Sequence, residues 1–163
     1  MKALVLPAVL SSLFISINCA YAIDIQPGEW TMENVETRMI NTSTGKTLIE
    51  DKNPGELIHL CYTQEMSDDS KNIIKGTSAT ADGCTTTFTE STDAKLVNEN
   101  TCNDSGTKTH SIVETAKVSD TELLITTKME IDSPDQKITN FNKVAQKLVS
   151  KTCSEASKGA AEK

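Results

Sequence analysis

Aromatic residues and arginine are both scarce in this sequence. Aromatic side chains make up 4% of the 163 residues, with Trp30 as the single tryptophan and Arg38 as the single arginine. The formal net charge is −7. Binding to nucleic acid or to anionic lipid surfaces depends on clustered Lys and Arg side chains. We therefore expect neither of them as a partner.

Recognisable catalytic and metal-binding patterns are also missing. The sequence has no Gly-x-Ser-x-Gly nucleophile motif, no Gly-rich phosphate loop and no Cys-x-x-Cys pair. The two histidines, His59 and His110, lie in strand-like segments, where a single histidine is usually a surface residue. The cysteines lack the spacing of a metal site. We therefore expect a protein that is not an enzyme and that uses neither a metal nor a cofactor.

The N-terminus is typical of a secretory signal. Lys2 supplies a positive charge, residues 3–17 form an apolar run, and Ala20-Tyr21-Ala22 fits the small-x-small cleavage rule. The run is about 15 residues long, short of the roughly 20 that a membrane-spanning helix needs. We predict a signal peptide over residues 1–22, export to the periplasm, and a mature chain without a transmembrane segment.

A lipid anchor at Cys19 is the competing interpretation. Lipidation requires a small residue just before the cysteine and usually a leucine three positions before it, but Asn18 and Ser16 stand there. We therefore favour cleavage after Ala22, which removes Cys19 together with the signal. The rest is predicted to be one β-rich domain over residues 23–153, followed by a disordered tail over residues 154–163.

Thr-rich segments and frequent turn signals favour an all-β fold. Turn signals such as Pro27-Gly28 and Thr44-Gly45 recur between short apolar or Thr-rich runs. Apolar and polar side chains alternate most clearly in residues 122–131, which we expect to form a hairpin with residues 108–118. We predict a mainly antiparallel sheet or barrel-like meander that is stapled by two disulfides and has one short helix at most.

Two segments are compatible with more than one structure. Residues 63–75 form either a short helix or an acidic loop. Residues 138–153 carry apolar side chains at helical spacing, although their end also resembles a strand. Both alternatives stay open at the level of the sequence.

Four cysteines remain after the signal is removed, and in an oxidising compartment they form two disulfides. A hairpin with strands over residues 84–90 and 94–102 has its midpoint at Asp93, which places Cys84 opposite Cys102. We therefore predict a Cys84–Cys102 bond, which leaves Cys61 to pair with Cys153. The second bond ties the end of the domain to an early strand.

Four features together resemble a known bacterial family. The predicted signal is followed by Ile25-Gln26-Pro27-Gly28-Glu29-Trp30, by Cys61-Tyr62-Thr63-Gln64-Glu65 and by the closing Cys153, with Cys84 and Cys102 in between. Over roughly residues 24–153 the chain is similar to DUF3617, a family of exported domains of unknown function. The resemblance implies a periplasmic β-rich domain and implies no activity.

A non-enzymatic binding module is the function that the sequence favours. A curved sheet holds a small apolar ligand, or offers an edge to an envelope protein. Trp30 is a candidate binding residue because Trp is enriched at hot spots, although a lone Trp is more often part of the core. The alternatives are a ligand-free structural or envelope-stress protein and an enzyme of unrecognised type. A pocket lined by Trp30, Ile125 and Met129 would favour binding, and a solid core would favour the ligand-free protein.

Overall fold

One antiparallel sheet dominates the architecture. The computed structural model describes residues 23–52, 55, 57–71, 78–81, 83–104 and 106–155. The predicted signal peptide with Cys19, residues 72–75 of the ambiguous segment and residues 156–163 of the predicted tail lie outside the described residues.

Nine strands and one short helix are described. In chain order they are β1 Gly28–Asn41, β2 Lys46–Asp51, β3 Ile58–Tyr62, α1 Gln64–Lys71, β4 Ser78–Ala81, β5 Cys84–Ser91, β6 Lys95–Asp104, β7 Thr107–Ser119, β8 Glu122–Asp132 and β9 Lys137–Ser150. The predicted all-β class, with its short helix, is confirmed.

The strands from β4 to β9 form an antiparallel meander, in which each strand pairs with the next one along the chain. β1 adds to the sheet beside β9, and its other edge pairs with β3 over Gly28–Met32 and with β2 over Thr37–Asn41. The described strands thus form an open sheet, with β2 and β3 at one side and β4 at the other.

The ambiguous C-terminal segment is a strand. Ile138, Val144 and Leu148 project to one face of β9, whereas Phe141 and Ala145 project to the other, so the apparent helical stripe is split. The reason is tertiary: β9 is hydrogen-bonded along its length by β1 on one side and β8 on the other. Pairing on both sides overrides the local preference.

Both predicted disulfides are present. Cys84 lies directly opposite Cys102 in the β5–β6 hairpin, with the two Cα atoms 4.0 Å apart, and Cys61 is bonded to Cys153. Because of a register shift between Phe88 and Glu90, Ser91 pairs with Leu96 and not with Lys95, the partner that a count from the cysteines gives. The bulge changes the turn and leaves the cysteine pairing intact.

The register divides the side chains of the sheet between two faces, because directly paired residues in antiparallel strands project to the same side. We call the face that carries Trp30 and Leu123 the inner face, and the opposite one the outer face. In β8 the alternating set Leu123, Ile125, Met129 and Ile131 lies on the inner face, as the sequence pattern predicts.

The fully buried core is small and lies at one end of the inner face. Trp30 and Leu123 are each 1% exposed, and Ile23 packs against them. The Trp30 indole N–H donates to the Gln26 carbonyl at 2.9 Å, and the Tyr62 ring meets Trp30 edge-on, with centroids 5.9 Å apart. The N-terminal segment therefore folds back over this end of the sheet.

Helix α1 adds to the cover at the same end. The Thr63 hydroxyl accepts a hydrogen bond from the Met66 backbone N–H at 3.2 Å, which caps the first turn. Ser67 is fully buried, and its hydroxyl donates to the Ile25 carbonyl. The helix thus holds the segment that leads into β1.

The Pro-Gly-x-Trp element has a structural explanation. Gly28 has a φ of 143°, and a Cβ at this position would collide with the Ser150 carbonyl oxygen and the Leu148 side chain. Only glycine adopts such a backbone conformation at low cost. Gly28 therefore allows β1 to start against the end of β9 and to direct Trp30 into the core.

Candidate functional site

Most charged side chains of the sheet project from the outer face. Here they form ion pairs between neighbouring strands, such as Lys95 with Glu90 at 3.3 Å and with Glu114 at 3.0 Å. Hydrogen bonds from Lys95 to Glu114 and Glu90 raise the pKa of Lys95. Exposed pairs of this kind contribute little to stability. They make the outer face a solvated surface.

One carboxylate of the outer face is buried. Glu29 is 8% exposed, and its two oxygens have different partners: His59 Nδ1 lies 2.7 Å from Oε1, and the Ser154 backbone N–H donates to Oε2 at 2.8 Å. The Ser154 hydrogen bond, followed by the His59 contact, lowers the pKa of Glu29. Glu29 thus fastens the chain just beyond the Cys61–Cys153 disulfide to β1.

The two histidines each lie near a glutamate, but their surroundings differ from those of a catalytic site. His59 is about half exposed, and within the described residues no hydroxyl or thiol lies within hydrogen-bonding distance of its ring. His110 Nε2 is 3.8 Å from a Glu99 oxygen, and both side chains are exposed. Thr31 lies opposite His59 and Thr101 lies opposite His110 in the sheet, but within the described residues neither hydroxyl is hydrogen-bonded to the histidine ring.

The described part of the chain offers no group of three or more His, Cys, Asp or Glu side chains that could hold a metal ion. Nor does it contain a helix long and apolar enough to span a membrane.

The inner face has a different chemistry. Beyond the row of Leu123, four successive rows of side chains cross the sheet, and none of the side chains that β1 and the strands from β4 to β9 contribute to them is charged. We call this part the neutral inner face. Charged side chains lie only at its margins among the described strands: Asp51 and Lys46 of the edge strand β2 stand opposite Thr37 and Asn41, and Lys117 projects beside Leu123 and pairs with Asp120 at 2.8 Å. The rows consist mainly of aliphatic, methionine, amide and hydroxyl side chains, most of them half-buried.

The two middle rows are rich in amides and hydroxyls, which are interrupted by Val113 and Phe88 in one row and by Met39 and Met129 in the other. We call these amide and hydroxyl side chains the polar belt. Aliphatic side chains such as Val144 and Ile131 lie in the rows on either side of it. The belt consists of Thr37, Asn142, Thr127 and Asn98 in one row and Asn140, Ser111, Asn100 and Thr86 in the next.

Hydrogen bonds connect the belt at both of its ends. The Asn34 amide donates to the Thr37 hydroxyl at 3.0 Å, and this hydroxyl donates to Asn142 Oδ1 at 3.1 Å. At the other end, the Thr86 hydroxyl donates to Asn100 Oδ1 at 2.6 Å, and the Asn100 amide donates to Ser111 at 3.3 Å.

The centre of the belt contains an unsatisfied acceptor. The side-chain oxygen of Asn140 is buried and has no hydrogen-bond partner within the part of the chain that the structure describes. Asn140 is paired with Met39 on β1 and with Met129 on β8. A buried acceptor without a partner costs free energy, so its presence marks a position where a further donor would be stabilising.

A pocket of about 360 Å³ opens on the inner face between β1, β3 and β9. Met32, Ile58 and Val144 supply an apolar wall, and Asn34, Thr37 and Asn142 supply hydrogen-bonding groups. Among the described residues, no charged side chain lines it. The pocket therefore joins an apolar surface to one end of the polar belt.

The residues singled out in the sequence have separate places in this arrangement. Trp30 is enclosed in the core, whereas Ile125 and Met129 are half-buried further along the inner face. The four cysteines form the two disulfides. Sequence reasoning missed the asparagines of the belt, and the available signal was their alternation with charged residues, as in Asn98-Glu99-Asn100.

Comparison with known proteins gives a family but no activity. A family model described as a protein of unknown function (DUF3617) matches residues 25–153. The chain is also similar to two proteins described as uncharacterized protein YtgA, from Salmonella typhimurium strain LT2 and from Salmonella typhi. Each is 55% identical over 159 residues, which cover 98% of this chain and 98% of the relative. The chain therefore belongs to the DUF3617 family.

Proposed function

We propose that the mature chain is a non-enzymatic binding protein of the periplasm and that the inner face of its sheet is the binding surface. The observation that carries the proposal is the segregation of charge: the outer face carries ion pairs, and four rows of the inner face carry no charge in β1 and in the strands from β4 to β9. A sheet face exposed only to water is normally polar and charged. A face of neutral side chains is suited to contact with a neutral ligand.

The incomplete cover of the sheet supports the same proposal. Domains usually bury a sheet face beneath a second layer. Here the N-terminal segment and α1 cover only the end near Trp30, and the buried apolar cluster on the inner face consists of Ile23, Trp30 and Leu123 among the described residues. A ligand-free structural protein is expected to have a solid core, and this limited core favours a binding role instead.

The chemistry of the ionisable groups favours binding over catalysis. Glu29, which contacts His59, already accepts a hydrogen bond from the Ser154 backbone, so it is occupied in holding the C-terminal segment. A general base needs a proton donor within reach, such as a nucleophilic hydroxyl or thiol. The disulfide beside this pair, Cys61–Cys153, offers no thiol.

Periplasmic localisation is supported by the disulfides and by the N-terminal sequence. Two disulfides are typical of an oxidising compartment. Cleavage after Ala22 would leave Ile23 as the first residue, and its side chain is 1% exposed in the core. The predicted cleavage site therefore lies directly before a residue that packs in the core.

Introducing a positive charge on the inner or on the outer face tests the proposal. Thr127 and Thr126 are neighbours in β8 that project to the inner and the outer face, and both are half-buried. With Nile red as a neutral apolar probe, we expect enhanced emission from the wild type and from Thr126→Lys. Thr127→Lys is expected to lose most of that emission, because a buried unpaired ammonium disfavours an apolar ligand. Equal emission from both variants, or none from the wild type, would refute the inner face as the binding surface.

A protein partner is the second candidate, and the exposed edge of β2 is the observation that favours it. Every residue of β2 is exposed, including Leu48 at 44% and Ile49 at 46%. Edge strands pair readily with an added strand from another chain. A photo-crosslinker at Leu48 is expected to give a discrete heavier adduct in cells if this edge is used. A crosslinker at Lys108 of the outer face is the control.

A further inference from the structure

Asn140 and Asn142 hold an acceptor and a donor that the described residues leave unused at adjacent inward positions of β9. The Asn140 side-chain oxygen is buried without a partner among these residues. Asn142 accepts from the Thr37 hydroxyl through its oxygen, and its amide nitrogen makes no hydrogen bond within the described residues. Residues two apart on a strand project to the same face, about 7 Å from each other. The two asparagines thus present an acceptor and a donor side by side.

Hydroxyl and amide groups match this pair, because each both donates and accepts. A carboxylate or phosphate supplies acceptors only and would lose its hydration beside Asn140 and Asn142, where neither β9 nor its neighbours β1 and β8 project a cation inward. A quaternary ammonium supplies neither a donor nor an acceptor. The chemistry of the belt therefore selects a neutral head group with hydrogen-bonding capacity.

The surroundings of the asparagines suit an apolar chain attached to such a head group. Asn142 lines the inner-face pocket together with Met32, Ile58 and Val144, which form its apolar wall. On either side of Asn140 lie Met39 and Met129. Methionine side chains are unbranched and adapt their rotamers readily, so they can uncover the Asn140 oxygen without moving the backbone.

We propose that the inner face binds a neutral amphiphile whose hydroxyl or amide head group hydrogen-bonds to Asn140 and Asn142 and whose apolar chain occupies the pocket at Val144. This inference rests on the proposed function and adds the class of ligand. An ion-paired outer face beside a neutral inner face fits a protein that holds such a molecule on one side of its sheet only.

Two detergents with neutral head groups separate the inference from the proposed function. Octyl glucoside has hydroxyl groups that donate and accept, whereas lauryldimethylamine N-oxide accepts only. Titration calorimetry below the critical micelle concentration is expected to show that both detergents bind to the full mature protein. The ratio of the octyl glucoside affinity to the amine oxide affinity is expected to be about tenfold higher for the wild type than for Asn140→Leu. One hydrogen bond to an otherwise unsatisfied acceptor accounts for a factor of that size.

The variants assign the preference to the belt. Asn140→Leu is expected to lower the affinity for octyl glucoside by about tenfold and to leave the amine oxide unchanged. Asn103→Leu is the control, because Asn103 projects from the outer face of β6, and it is expected to bind as the wild type does. Asn142→Leu removes the donor of the pair and is expected to weaken the binding of both detergents, because both head groups accept hydrogen bonds. It tests the inference independently if Asn140→Leu fails to fold.

The possible failures are distinguishable. If both detergents bind, Asn140→Leu leaves their relative affinity unchanged and Asn142→Leu weakens neither of them, the head-group inference is wrong and the binding surface stands. If neither detergent binds the wild-type protein, the proposed inner-face binding fails together with the inference.

Discussion

At the residue scale, the least ordinary group is Glu29, a buried carboxylate on the otherwise solvated face. Hydrogen bonds from the Ser154 backbone and from His59 lower its pKa from the ordinary value of 4.5. As the pH falls, the unfolded chain therefore binds a proton at the Glu29 carboxyl at a higher pH than the folded protein does. Because stability rises with pH wherever the unfolded state binds more protons, this contribution is complete above pH 4.5 and is lost as the pH falls through the folded pKa.

Glu29→Gln is expected to lower the melting temperature at neutral pH and to flatten its dependence on pH below 4.5. Glu36→Gln is the matched control, since Glu36 lies on the same strand and face and has no ion pair among the described residues. Thermal unfolding followed by circular dichroism between pH 3 and pH 7 measures both. A constant gap between wild type and Glu29→Gln over that range would contradict the assigned role.

Gly28 shows which part of the Pro-Gly motif can be explained from the local sequence. The Pro-Gly pair indicates a turn, and the structure agrees that a glycine is needed. The reason is the close approach of the Ser150 carbonyl on β9, more than 120 residues further along the chain. No local pattern contains that information.

At the element scale, the two disulfides make different contributions. Cys84–Cys102 closes a loop with a sequence separation of 18 inside one hairpin, and Cys61–Cys153 closes one of 92 between β3 and the C-terminal segment. In the chain-entropy model, removing the first costs about 3 kcal/mol and removing the second about 4 to 5 kcal/mol.

We expect the double variant Cys61→Ser/Cys153→Ser to be the less stable of the two, since it also loosens the segment that bonds to Glu29. Urea unfolding of the two double-serine variants under non-reducing conditions measures the order. A larger loss of stability in Cys84→Ser/Cys102→Ser would contradict the stabilising role assigned to the C-terminal segment.

Strands were easier to predict from the sequence than their registers. The β7–β8 hairpin and the cysteine pair of β5–β6 follow from alternation and symmetry. The bulges do not, and one of them leaves Val35 of β1 39% exposed where strict alternation would continue. The position of a bulge depends on the pairing with the neighbouring strand, and the sequence of the bulged strand alone does not determine it.

At the scale of the whole molecule, the neutral inner face is the feature that sequence reasoning did not reach. It arises only when the register aligns asparagines from β6 and β9 with hydroxyls from the strands between them. Each strand taken alone shows polar residues at alternate positions, which also fits a solvent-facing surface. The distinction between charged and uncharged polar residues becomes visible when six strands are placed side by side.

The proposed export concerns the whole chain, and it has a direct test. Cleavage after Ala22 would give a mature protein that begins with Ile23, the residue that packs beside Trp30 and Leu123. N-terminal sequencing of protein from the periplasmic fraction is expected to start at this residue. A lipidated N-terminus at Cys19 would contradict the predicted free periplasmic form.

Native mass spectrometry of protein purified from the periplasm without refolding tests the central proposal most directly. We expect a species heavier than residues 23–163 with two disulfides, which loses the additional mass on denaturation, and we expect Thr127→Lys to carry less of it than Thr126→Lys. A bare chain for the wild type and for both variants would contradict the assignment of the inner face as a ligand-binding surface.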